Sequence, residues 1–143
     1  MQREEFNALV EKAKENHPLW FELERDGPAS DQEIAEAERL LGVELPDEYR
    51  SFLRDHGGGY FAFAFVFGVA ATSDWFVVEK NRARASAFLA ISDPGTGDVY
   101  GFCLKDEHCC SREISVLDHE TNTIKEAAYA DLYEMLVVHA LQA

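Results

Sequence analysis

The sequence predicts an α+β fold with N-terminal helices, a central and mostly antiparallel sheet of about five or six strands, and a C-terminal helix packed on that sheet. Three observations predict this class. Helical patterns fill the first third of the chain, apolar residues then recur with period two, and one helical pattern closes the sequence. Because helices and strands are segregated and joined by short turns, an antiparallel sheet is expected.

The first helix is predicted from the apolar spacing of Phe6, Leu9, Val10 and Ala13. It should end just before Pro18, because the residue that precedes a proline disfavours helical backbone angles. The segment that follows, residues 18–29, is expected to be a loop. Three of its apolar side chains are expected to pack inward: Trp20, Phe21 and Leu23.

Two more helices follow. Ser30 and Glu33 have the spacing of a capping box, and Gly42 offers a left-handed C-terminal stop, so a second helix is expected between them. Pro46 suits the first turn of a third helix, where its missing N–H costs nothing. The residues that should form the buried face of this third helix are Tyr49, Phe52 and Leu53.

The middle of the chain changes to a period of two. In "YFAFAFVF" the phenylalanines alternate with smaller apolar residues, which predicts a strand; at a sheet edge it could pair between chains. Asp74 to Lys80 could form another short strand. The remaining strands are expected at Phe88–Ile91, Val99–Leu104, Ile114–Leu117 and Thr123–Ile124, before a final helix from Tyr129 to Leu141.

The stretch "ISDPGTGDVYGFCL" is best explained as a turn between two strands. Asp93 can bond to the backbone that follows it, Pro94 fixes φ, and Gly95 and Gly97 tolerate positive φ. A calcium loop would need more alternating oxygen ligands and a closing glutamate. A phosphate loop would lead into a helix, whereas this one leads into a strand at Val99.

Size and charge limit the possible functions. The chain of 143 residues is expected to form one domain, residues 1–143, that folds without a cofactor. Its formal charge of −14 disfavours nucleic acid and anionic membranes; it favours basic protein partners, or serves solubility alone. Three cysteines without framework spacing, and an N-terminus that lacks the apolar core of a signal peptide, predict a cytoplasmic protein.

Several polar groupings in the sequence are candidate chemical sites. A zinc site from Cys103, His108, Cys109 and Cys110 is disfavoured, because adjacent cysteines do not converge on one ion. Carboxylates at strand ends could cluster for acid–base work, although turn chemistry explains them better; they are Asp93, Asp98, Asp118 and Glu120.

Asp74 and Trp75 lie side by side in an irregular segment. An aromatic residue beside an acid could anchor a partner, or this segment could be a lid on the core. The residues expected to contact a partner are Asp74, Trp75, Asp93 and Asp98.

Three segments together resemble the SUKH superfamily, the Smi/Knr-like proteins. They are "PASDQEIAEAERLLGVELPDEYRSFLRDHGGG", "FLAISDPGTGDVYGFCL" and "VLDHETNTIKEAAYADLYEML", and the resemblance spans roughly residues 28–138. The sequence departs from the family at residues 68–86, which are short and atypical, and at Ala128, where a serine is usual. The positions that match the family motifs most directly are Gly42, Leu45, Pro46, Tyr49, Phe52, Gly57, Gly58, Asp93, Gly97 and Asp98.

This resemblance implies a non-catalytic bacterial immunity protein that binds and neutralises a cognate toxin, often a nuclease with a basic cleft. A regulatory interaction protein, of the type that controls fungal cell walls, is the alternative that the same resemblance allows. A third hypothesis, of a different class, is a metal-assisted hydrolase that uses Asp93, Asp98 and His119.

Overall fold

The computed structural model describes residues 1–82, 87–95, 97–106, 110–127 and 129–142, except for the side chain of Arg112. His108 and Cys109 of the zinc hypothesis, the unusual Ala128 and the end of the atypical segment 68–86 therefore lie outside the described residues. Within the described ranges, no helix is both long enough and apolar enough to span a bilayer.

Three α-helices open the fold, as predicted: α1 (Arg3–Asn16), α2 (Asp31–Leu41) and α3 (Asp47–Asp55). A short 3₁₀ helix, Pro18–Phe21, follows α1. The prediction that Leu23 packs inward was wrong, since this side chain is 51% exposed. Leu23 follows the 3₁₀ helix on the surface, whereas Trp20 and Phe21 are half-buried against the core.

Local chemistry fixes the ends of α2. The Ser30 hydroxyl accepts a bond from the Glu33 amide at 3.1 Å, and the Glu33 carboxylate accepts one from the Ser30 amide at 3.0 Å. This is the predicted capping box. At the other end Gly42 has φ of +72°, a left-handed conformation that glycine adopts at little cost.

The buried face of α3 is also the predicted one, because Tyr49, Phe52 and Leu53 are all fully buried. Pro46 lies one residue before the helix rather than in its first turn. The Tyr49 hydroxyl donates to the Phe67 carbonyl and so joins α3 to the chain beyond the first strands.

Among the described residues, six antiparallel strands form one sheet in sequence order, which confirms the predicted meander. They are β1 (Gly59–Phe61), β2 (Ala64–Val66), β3 (Phe88–Asp93), β4 (Val99–Leu104), β5 (Cys110–Asp118) and β6 (Thr123–Glu126). The described part of the chain contains two further α-helices: α4 (Val77–Asn81) before β3, and α5 (Leu132–His139) after β6.

The "YFAFAFVF" run is a hairpin and not the single strand that was predicted. β1 and β2 pair through Phe61 and Ala64, which leaves a two-residue turn at Ala62 and Phe63. Pairing across such a turn reverses the pattern, so Phe61 faces the core with Val66, whereas Phe65 faces outward with Tyr60. A period of two cannot reveal this turn, because neither turn residue is a glycine, asparagine or proline.

The predicted strand from Asp74 to Lys80 was also wrong: a turn here leads into α4. The Asn81 side chain of this helix bonds to both the amide and the carbonyl of Ala90, at 2.8 and 2.9 Å. It thereby supplies to β3 the hydrogen bonds that a neighbouring strand would make beyond the end of β2.

The C-terminal helix α5 begins at Leu132, later than predicted. Asp131 caps it by accepting a bond from the Glu134 amide at 2.8 Å. The helix packs against α1 and α3, and its residues Leu132, Met135 and Leu136 are fully buried.

An inner aromatic cluster fills the core between the helices and β1. Its members are Phe6, Phe52, His56, Phe61 and Tyr133. The centroids of the Phe52 and Phe61 rings are 5.0 Å apart in an edge-on arrangement, and those of Phe6 and Tyr133 are 4.6 Å apart and stacked. Such pairs stabilise a core beyond the area that they bury.

Candidate partner-binding surface

The turn between β3 and β4 has the geometry predicted from sequence. Asp93 Oδ1 accepts a bond from the Gly95 amide at 2.8 Å, as in an Asx-turn. Gly95 and Gly97 have φ of +88° and +93°. A Cβ atom at Gly97 would also lie 3.1 Å from the imidazole of His119, so this glycine lets two turns approach each other.

Asp98 and His119 join these two turns. Asp98 Oδ1 lies 2.7 Å from His119 Nδ1 and accepts a bond from the His119 backbone amide at 3.1 Å. The hydrogen bond from His119 lowers the pKa of Asp98, and the same bond raises the pKa of His119. Protonated His119 therefore forms an exposed ion pair with Asp98.

Asp118 lies beside this pair, and potential ligand atoms of Asp98, Asp118 and His119 fall within 4.8 Å of one another. Asp118 accepts bonds from the Glu120 amide at 2.9 Å and from Lys125 Nζ at 3.2 Å. The carboxylates of Asp118 and Asp98 thus already stabilise turns. They also neutralise the charges of Lys125 and of protonated His119. Asp93, which the hydrolase hypothesis placed with Asp98 and His119, belongs to its own turn instead.

The two described cysteines do not converge. Cys103 lies on β4 with its Sγ 3.8 Å from the Ser115 hydroxyl, and Cys110 begins β5 opposite Leu104. Neither belongs to a group of potential metal ligands among the described residues.

A row of half-buried aromatic rings lies on the outer face of the β1–β2 hairpin. The Tyr60 and Phe65 ring centroids are 4.1 Å apart, and Trp75 lies 5.9 Å from Tyr60. Phe65 pairs with Asp93 in the sheet, so that carboxylate shares the outer face with the rings. Asp74, the exposed neighbour of Trp75, adds a second carboxylate.

The row continues around the tip of the hairpin. Phe63, which is 51% exposed, packs edge-on against Trp20 with centroids 4.8 Å apart. We call Trp20, Tyr60, Phe63, Phe65 and Trp75 the aromatic strip. A shallow groove in it is lined by Leu23, Tyr60, Phe63, Phe65 and Pro94.

Of the aromatic strip, the sequence singled out only Trp75 as a contact residue, and the structure places this ring outside the core while Phe76 is buried. Asp74 and Asp93 border the strip. Asp98 lies at the far end of the β3–β4 turn and bonds to His119 instead. The clue to the other members was the "YFAFAFVF" run, whose aromatic residues exceed what one buried face needs.

Backbone pairing along the open side of β1 is partly satisfied within the chain. The Asp26 amide donates to the Gly58 carbonyl at 2.9 Å, and the Tyr60 amide donates to the Glu24 carbonyl at 3.3 Å. Gly59 allows this close approach, because a Cβ there would lie 2.7 Å from the Arg25 Cα. β1 is one of the two edge strands of the sheet that the structure describes, but the segment from Glu24 to Asp26 restricts the pairing between chains that the sequence suggested.

A second surface, the acidic groove, lies at the start of α3. Four carboxylates and one arginine line it: Glu44, Asp47, Glu48, Asp131 and Arg50. Burial raises the pKa of Glu48, and the neighbouring Asp131 raises it further. Nothing in the sequence pattern indicated this groove, because its residues come from the segment before α3, from α3 itself, from the start of β5 and from the residue before α5.

Fold and surface together define the class of this protein as a small α+β domain with exposed aromatic and acidic faces. The family model described as SUKH_6, SMI1-KNR4 cell-wall, matches residues 31–136. The chain therefore belongs to the SUKH superfamily, as the resemblance of its three motifs predicted. No curated protein matches the chain.

Proposed function

We propose that this domain is an immunity protein that binds a basic bacterial toxin and neutralises it without catalysing a reaction. Membership of the SUKH family is consistent with a toxin-immunity or a cell-wall regulatory role. The observation that carries the choice is the charge: −14 over 143 residues, with four carboxylates around one groove.

Electrostatics explains how such a domain would act. A nuclease binds a polyanion in a basic cleft, and a strongly acidic protein can occupy the same cleft. Complementary charge speeds the encounter, which suits a protein that must reach its toxin before the toxin reaches nucleic acid. We place this action in the cytoplasm of the cell that makes the toxin.

The polar cluster at the sheet end supports a role without catalysis. Asp98 and His119 bond to each other, and Asp118 bonds to its own turn and to Lys125. These bonds give each side chain a structural role.

Inhibition of the neighbouring toxin tests the proposal. If a gene next to this one encodes a toxin, its purified product should bind the domain and lose activity, and the affinity should fall as salt rises. Asp47→Asn with Glu44→Gln should weaken binding, whereas Glu36→Gln with Glu11→Gln removes equal charge from α2 and α1 as a control. Full toxin activity at saturating concentrations of the domain would rule the proposal out.

The description of the matching family favours one second candidate, a regulatory protein that acts in cell-wall control through a protein partner. Affinity purification from the source cells separates the two candidates. Recovery of a toxin supports the immunity role, and recovery of cell-wall enzymes or their regulators supports the alternative.

A further inference from the structure

We propose that the aromatic strip is a docking surface for an arginine-bearing segment of the basic partner. This inference rests on the proposed function for the existence of such a partner. It adds a second contact surface for that partner, besides the acidic groove, and the chemistry that recognises it there.

The rings of Tyr60, Phe63, Phe65 and Trp75 lie outside the core, and Trp20 packs against its edge. Phe63 and Leu23 are each 51% exposed, and Tyr60, Phe65 and Trp75 are half-buried against one another. Exposed aromatic patches with polar rims mark interaction sites on soluble proteins. Tyrosine and tryptophan in particular provide large contact areas at binding hot spots.

The charges around the strip select a cationic occupant. Asp93 pairs with Phe65 in the sheet, and Asp74 precedes Trp75. The backbone that borders β1 carries exposed Glu22 and Glu24, with Arg25 as the basic residue of that stretch. This rim disfavours anionic occupants, and it disfavours a second copy of the chain because both copies carry a charge of −14.

Arginine fits this combination better than other cations. Its planar guanidinium stacks on aromatic faces, and it binds carboxylates with two parallel hydrogen bonds. The Tyr60 and Phe65 rings beside Asp93 offer both interactions in one place. An apolar neighbour of the arginine would fill the shallow groove between Leu23 and Phe63.

The partner is expected to dock through side chains. The Glu24 carbonyl and the Asp26 amide already bond to the edge of β1, which restricts the addition of a partner strand there. The rings and carboxylates on the outer face are therefore expected to bind the partner.

A peptide titration tests this without the toxin. ¹⁵N-labelled protein is titrated with the capped peptide LRGRL and, separately, with capped LEGEL. We expect LRGRL to shift the Trp75 indole signal and the Tyr60 and Phe65 amides in a saturable, salt-sensitive manner. LEGEL should leave these signals in place.

Three variants sharpen the test. Phe65→Ala should weaken LRGRL binding about tenfold, because it removes a central ring of the strip. Asp93→Asn keeps the oxygen that accepts from Gly95 and removes the charge, so a loss of about two- to fivefold is expected. Glu5→Gln makes the same charge change on α1 and should leave the affinity unchanged.

Several results would overturn the inference. They are equal shifts with both peptides, shifts confined to the acidic groove, and dependence of the strip signals on protein concentration without peptide, which would indicate self-association. The proposed function can fail separately: a domain that binds LRGRL at the strip but leaves the toxin active would retain the docking surface and lose the immunity role.

Discussion

The two faces of the β1–β2 hairpin use the same kind of side chain for different ends. On the inner face, Phe61 is 2% exposed and lies 5.0 Å from Phe52 between ring centroids. On the outer face, Tyr60 lies 4.1 Å from Phe65, and both rings remain partly open to solvent. The difference teaches that aromatic content alone does not reveal a core, because one short strand supplies both a buried core ring and a partly exposed surface ring.

Two histidines repeat this contrast in their electrostatics. His56, 8% exposed in the inner aromatic cluster, has its pKa lowered to about 4 because burial penalises the charged form. His119, on an exposed turn, has its pKa raised by the hydrogen bond to Asp98. The pKa of histidine is thus shifted in opposite directions in the buried cluster and on the exposed turn.

Truncation of one ring on each face of the hairpin region should give the largest difference in the free energy of unfolding. Phe52→Ala removes a fully buried ring and should lower the free energy of unfolding by about 3–5 kcal/mol. Phe65→Ala removes a half-exposed ring and should cost about 1 kcal/mol. Urea denaturation followed by circular dichroism measures both; similar losses would mean that the aromatic strip is as structural as the inner cluster.

Features of the fold that depend on neighbours in sequence could be predicted. The capping box of Ser30 and Glu33 and the Asx-turn of Asp93 each involve residues within three positions of one another. The hairpin at Ala62 and the pairing of Asn81 with Ala90 could not. The hairpin turn is local but carries none of the residues that signal a turn, and the Asn81–Ala90 pairing joins a side chain to a backbone nine positions away, which sequence periodicity does not identify.

The candidate site divides in the same way. Asp98 and His119 were named from their positions at turns, and the meander brings those turns together. The aromatic strip joins Trp20, the hairpin and Trp75, three segments whose proximity only the tertiary fold creates. Asp74 and Asp93 were predicted to contact a partner, and that contact stays a prediction.

Acid should act on the inner cluster through His56. The unfolded chain binds a proton near pH 6.5, whereas the folded chain binds it near pH 4, so stability falls as the pH drops between these values. The share of His56 in this loss is about 3 kcal/mol at its largest.

His56→Gln removes this proton site and should flatten the dependence of the urea midpoint on pH between 6.5 and 4. His119→Gln is the matched control, because the raised pKa of His119 acts with the opposite sign. A wild-type slope in His56→Gln would show that His56 is not the group that acid charges.

The smallest expected effect is a change in the pKa of the exposed His119. Asp98→Asn keeps an oxygen that can accept from the His119 amide but removes the charge, so the pKa of His119 should fall towards about 6.5. Stability that the raised pKa supplies is present at low pH and is lost as the pH rises through that pKa, the reverse of His56. Two-dimensional NMR of the imidazole ring across pH 5–9 gives the pKa directly. Asp118→Asn, which removes a more distant carboxylate, should lower it less, and a larger fall in that variant would mean that Asp98 is not the main partner of His119.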